Sequence, residues 1–100
     1  METFGGYIRL LRTSVNLSIR KIAAQIDIDA TLLGKIEREE RQANKDVITG
    51  IAKIFNQNEK DLFHRLLSDR IAYKIIDENA DIKVLKVAEQ KVKYLKSKAK

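Results

Sequence analysis

Between Ser18 and Arg38 two stretches of helical periodicity stand back to back with only Asp27-Ile28-Asp29 between them. Three residues leave room for nothing but a tight turn, and aspartate tolerates the left-handed backbone such turns often need. The first stretch, Ser18 to Ile26, places Ile22, Ala23 and Ile26 on one inward face, with Ala23 and Ala24 small enough to admit a neighbouring helix. The second, Ala30 to about Arg38, turns Leu33 and Ile36 inward and leaves Thr31, Gly34, Lys35 and Arg38 outward. Ser18 and Asp29 stand where N-caps belong, each with an oxygen able to accept an orphan amide hydrogen bond. Two short helices held at close quarters by such a turn, the second carrying few large outward groups, suit a unit that lays one helix into a DNA major groove.

The rest of the chain supplies a scaffold for that pair. Phe4, Tyr7, Ile8, Leu10 and Leu11 repeat at helical spacing and predict a first helix from Phe4 to Thr13, weakened at residues 14 to 16. The polar stretch Glu39 to Asn44 is a loop. Val47, Ile48, Ile51, Ala52 and Phe55 predict a fourth helix that Asn56-Gln57-Asn58 ends, and Leu62, Phe63, Leu66 and Leu67 a short fifth beginning near Glu59. Ser68 then reads as the cap of a short segment with Ile71, Ala72, Ile75 and Ile76, compatible with helix or, over residues 73–76, with strand. Asp77-Glu78-Asn79 interrupts it, and Leu85, Ala88, Val92 and Leu95 mark a final amphipathic helix. Proline is absent, as an uninterrupted all-α chain allows. We therefore expect five helices in residues 1–67 and a C-terminal helical extension in residues 68–100.

One hundred residues with 44% apolar content suffice for one compact core. The chain has no cysteine and a single histidine, His64, so disulfides, thiolate metal sites and a histidine zinc site are excluded and no cofactor is expected. A glycine-rich phosphate loop and a carboxylate pair set apart from solvent-facing charges are missing too, which argues against an enzyme; no small-molecule pocket is evident. His64, beside Phe63 and Leu66, reads as a surface or interface residue. No run reaches the roughly 18 apolar residues of a membrane span, and the first residues lack signal-peptide order, so the expectation is a soluble cytoplasmic protein. Net charge is +6, but residues 1–66 hold 11 Lys and Arg against 9 Asp and Glu, whereas residues 67–100 hold 9 against 5. Lys91, Lys93, Lys96, Lys98 and Lys100 concentrate that excess at a helix end, where they complement the helix dipole. Charge alone thus says little about nucleic acid, and the pattern must carry the case.

That pattern, from Leu17-Ser18 through Ile22-Ala23 to Ile36-Glu37-Arg38, with Arg12 before it and Ile51-Ala52-Lys53 and Asp61-Leu62 after it, resembles the phage-repressor-like (Cro/CI, XRE) family of helix-turn-helix transcription regulators. The resemblance covers about sixty residues. It implies a five-helix lambda-repressor-like fold in which the third helix reads bases through Ala30, Thr31, Gly34 and Lys35, while the second lies across the backbone. It also implies an ion pair between Arg12 and Glu37 that locks the reading helix. Phosphate contacts are expected from Ser18, Ile19 and Arg20 at the start of the second helix, and from Arg38, Arg41, Asn44 and Lys45 around the following loop. The sequence departs from the family at Ile19, where glutamine is common, at Glu39, where glycine is usual, and at Ala43, where proline is usual. Double-stranded DNA is the expected partner, bound by a homodimer on a palindromic operator, since one domain this small covers only a few base pairs. Leu85, Ala88, Val92 and Leu95 are candidate dimerisation residues; the same stripe could instead cover its own domain. Small stand-alone family members commonly control their own restriction-modification or toxin-antitoxin operons. The alternative is a protein–protein interaction module on the same fold with little DNA specificity.

Overall fold

A computed structural model describes residues 1–99 and contains, among them, six helices and no strand. They are α1 (Phe4–Ser14), α2 (Ile19–Gln25), α3 (Ala30–Glu37), α4 (Lys45–Phe55), α5 (Glu59–Asp77) and α6 (Val84–Lys98). Among the described residues the protein is all-α, as expected. It divides into two compact units, Met1–Asp69 and a second that begins at Arg70. Lys100, the last of the tail lysines, lies outside the described residues.

The core of the first unit is built from one face of each of its helices. Ile8, Ile22, Leu33, Ile51 and Leu62 are fully enclosed, with Phe4, Ala23, Ile36, Val47, Ile48 and Leu66 packed around them. Side chains this well enclosed are each worth about 1.5–3 kcal/mol relative to exposure, so this cluster dominates the stability of the unit. Ala43, standing where the family has proline, is buried in the same core and pins the loop after α3 from inside. Ala23 is buried, but Ala24 points outward, so only one of the two alanines admits a neighbouring helix.

Helix ends follow a common chemistry. Thr3, Ser18, Asp29, Asn44 and Asn58 accept amide hydrogen bonds at the starts of α1 to α5. At the C-terminal ends the left-handed position falls on Asn16, Asp27, Glu39, Asn56 and Asn79, never on a glycine. After α3, Glu39 N–H bonds to the Ile36 carbonyl and Glu40 N–H to that of Lys35, the paired closure of a Schellman turn.

The largest difference from the sequence expectation lies in α5. A short helix ending near Leu67, followed by a separate segment capped by Ser68, was expected; one helix of 19 residues is found. Ser68 does not cap. Its hydroxyl donates to the Arg65 carbonyl at 2.8 Å, a bond that keeps serine inside a helix. With neither glycine nor proline between residues 59 and 77, nothing breaks the backbone ladder, and residues 73–76 are helical rather than extended. The second unit differs in character from the first: no residue of α6 is buried.

Candidate nucleic-acid interface

The turn between α2 and α3 is built by a few atoms. Ile26 ends α2, Asp27 takes the left-handed conformation (φ 58°), and Ile28 N–H closes back on the Ala23 carbonyl at 3.0 Å. Asp29 then caps α3, accepting the Thr31 amide at 2.8 Å. The helix must restart at once because its first amide is already partnered. At the other end of the pair, Ser18 accepts the Lys21 amide at 3.1 Å and fixes where α2 begins.

Arg12 and Glu37 meet between α1 and the end of α3. The guanidinium donates from Nε to Glu37 Oε2 at 2.8 Å and from Nη2 to Oε1 at 3.0 Å, a two-pronged pair, while Nη1 donates to the Leu17 carbonyl at 3.0 Å. One side chain therefore ties α1, the approach to α2 and the end of α3 together. The pair is nearly dry, its side chains being 13% and 4% exposed. Its hydrogen bond to Glu37 raises the Arg12 pKa further above the ordinary arginine value, against the smaller opposing effect of burial. Gly5 brings the same helices into backbone contact, because a Cβ there would sit 2.6 Å from the Glu37 carbonyl oxygen.

Of the base-reading positions carried by the resemblance, Thr31 is exposed, Ala30 and Lys35 are half-buried, and Gly34 is buried. Gly34 is thus not the open gap that an outward glycine suggests. Its cover comes from the end of α3 and the start of α2: a Cβ on Gly34 would lie 3.2 Å from Arg38 Nη1 and 4.0 Å from Ile19 Cδ1. Of the phosphate positions, Ser18, Arg20, Arg41 and Lys45 are exposed, whereas Ile19 is half-buried and packs against the core. Asn44 is exposed, and its side-chain oxygen accepts the Val47 amide at 3.0 Å, so its amide nitrogen is the end left to donate. Arg38 is exposed and ion-paired, Nε to Glu40 Oε2, at 2.6 Å. The dimerisation candidates Leu85, Ala88, Val92 and Leu95 are all exposed on α6, and His64 is exposed beside Phe63.

Two contributors escaped the sequence reading. Glu40, which holds Arg38, stands just past the usual family glycine position, and its nearness to a cation was the only local hint. Asp69 accepts the Phe4 amide at 2.7 Å and so joins the start of α1 to α5. No local signal could have revealed a bond between residues 65 positions apart. Around it, Tyr7 donates to Gln57 at 2.7 Å and the Arg65 guanidinium lies 3.7 Å from the Tyr7 ring centre, bracing α1 from behind.

Two capped helices joined by a four-residue turn, locked at the far end of the second helix, define a protein of the helix-turn-helix DNA-binding class. The helix-turn-helix family profile matches residues 8–62, more than half of the chain. The chain accordingly belongs to the helix-turn-helix family, in its XRE, Cro/CI-type form, and is a DNA-binding transcriptional regulator. Its fold is similar to that of the clp gene regulator ClgR from Corynebacterium glutamicum, with a TM-score of 0.56 over 88% of each chain at 15% identity. No curated protein matches the chain. Among the described residues, no helix is long and apolar enough to cross a membrane.

Proposed function

We propose that the protein represses or activates transcription by sequence-specific binding to double-stranded DNA, as a homodimer on a palindromic operator. The observation that carries this reading is the locked α2–α3 pair, whose outward edge presents Thr31 and Lys35. Thr31 can hydrogen-bond a base edge or touch a thymine methyl, Ala30 can offer apolar contact, and Lys35 can reach guanine O6 or N7. Ser18, Ile19 and Arg20 at the start of α2, with Arg41, Asn44 and Lys45 around the loop after α3, hold the backbone and set register. The dimer places two copies of α3 about 34 Å apart or a multiple of that distance. The exposed stripe of Leu85, Ala88, Val92 and Leu95 on α6 supports α6 as the element that joins the copies. Residues 1–67 would then supply DNA binding and residues 68–100 assembly. The family resemblance extends the reading to self-regulating control of a restriction-modification or toxin-antitoxin operon.

The test is binding to the DNA upstream of its own gene, compared with random duplex as salt is raised. A regulator keeps a large preference for its own site and shows a steep salt dependence. Weak binding indifferent to sequence would overturn this reading in favour of a protein-interaction module. Lys35→Ala is expected to relax preference at one position, whereas Arg41→Ala weakens all sequences alike and lowers the salt slope by about one.

A further inference from the structure

The face of α3 that meets DNA is poor in readers, and the structure places one more cation on it. Arg38 caps the C-terminal end of α3 with near-helical backbone (φ −90°, ψ 2°). Side chains on a helix lean toward its N-terminus, so Arg38 covers the residue one turn earlier. That residue is Gly34, and a Cβ there would stand 3.2 Å from Arg38 Nη1. Glycine inside a helix costs about 1 kcal/mol relative to alanine, and nothing from the rest of the fold comes nearer that position than Ile19 Cδ1 at 4.0 Å. The glycine makes room on the outer side of the helix, for the guanidinium.

Glu40 fixes the same guanidinium. It accepts from Arg38 Nε at 2.6 Å, and both side chains are more than half exposed. Its carboxyl is held below the usual range by Arg38 first and by Lys35 to a smaller degree. A carboxylate so close is a poor companion for a phosphate contact, since the pair carries no net charge and the carboxylate repels the phosphate it would approach. It is a good companion for a base contact. The guanine edge is neutral, and a bond through Nε does not occupy the Nη1–Nη2 edge, whose two donors match guanine O6 and N7.

We infer that Arg38 reads a guanine in the major groove and that Glu40 is the positioning residue that holds its guanidinium over Gly34. The inference rests on the docking of α3 proposed above. It reassigns Arg38 from the backbone contacts to the reading surface and accounts for a glycine on that surface.

Selection from a randomised duplex pool, followed by titrations over a salt series, tests it with the full chain and with Arg38→Ala and Glu40→Gln. Both residues are exposed, and a thermal melt of each variant confirms an intact fold. Wild type is expected to select a guanine that Arg38→Ala no longer prefers. Replacing that base with 7-deazaguanine should weaken wild type at least about fivefold and leave Arg38→Ala unchanged. Glu40→Gln should lose part of the same preference, bind all sequences more tightly and steepen the salt slope by about one. If Arg38→Ala keeps every base preference and weakens all sites alike, Arg38 is a phosphate contact and the inference is overturned. A guanine preference left whole in Glu40→Gln removes the positioning role. A wild-type chain that selects no sequence defeats the docking itself, an outcome distinct from both.

Discussion

Arg12 gives each nitrogen of its guanidinium to a different acceptor: two oxygens of Glu37 and the carbonyl of Leu17. Removing it leaves a carboxylate that is 4% exposed without its partner. Arg12→Ala is therefore expected to destabilise the fold by on the order of 3 kcal/mol, read as a lower denaturant midpoint, with base preference altered little in what remains folded. An unchanged melting temperature would contradict the locking role. Because its pKa is raised, the arginine's contribution is complete at any pH below the ordinary arginine value and would fade only above it. Between pH 5 and 9 the lock should therefore show no loss arising from Arg12. Glu40 runs the other way: a lowered pKa contributes above the usual carboxylate range and is lost as pH falls through it. Glu39 is the other residue that invites substitution, since it occupies a left-handed position with φ 64°. Glu39→Gly should raise stability by about 1 kcal/mol through relief of that backbone, as judged by urea unfolding. A loss instead would mean that the glutamate side chain contributes more than its backbone strains.

At the scale of elements, α3 is positioned from its C-terminal end, by α1. Gly5 admits the backbone of α1 against the last carbonyls of α3, and Arg12, about two turns further along α1, grips the Glu37 side chain. Adding a methyl group at Gly5 must push the two helices apart. Gly5→Ala is expected to lower stability by about 1–3 kcal/mol and, on the docking proposed above, to weaken DNA binding, because α3 shifts while its own residues stay unchanged. Calorimetry and a binding titration check both halves. The helix caps make a gentler control: Ser18→Ala removes the acceptor for Lys21 N–H and should cost about 1 kcal/mol without moving α3. The elements of the first unit were largely legible because each begins at a capping side chain and carries an apolar period. The division of α5 was not, since Ser68 has two local options and the choice between cap and interior depends on whether the backbone on both sides stays helical.

For the whole molecule, the contrast between the units sets the assembly problem. The first unit encloses an apolar core, although Leu10, Val15, Phe63 and Leu67 stay exposed on it; in the second, where no residue of α6 is buried, Leu85, Val92 and Leu95 remain 40%, 51% and 62% exposed. These positions share one helix face with Ala88. Isolated helices of about 15 residues are marginal in water, so a partner for this face would stabilise α6 as well as join two copies. For the α6-joined dimer proposed above, Val92→Glu in the full chain is expected to give monomer in sedimentation and to reduce operator affinity while leaving half-site preference intact. A variant that still sediments as a dimer would move the interface away from α6.

The sequence by itself determined the helix count of the first unit, the turn at Asp27, the caps at Ser18 and Asp29 and most of the apolar faces. These follow from interactions within four residues and from a periodicity that burial imposes. It could also point to Arg12 and Glu37 as a pair, through family resemblance. Only the tertiary structure decided that Asp69 accepts the Phe4 amide, that Gly5 lies against the Glu37 carbonyl and that Arg38 folds over Gly34 toward Glu40. Local periodicity says which way a side chain points. Which distant atom meets it depends on how the helices come to lie once the whole core has packed.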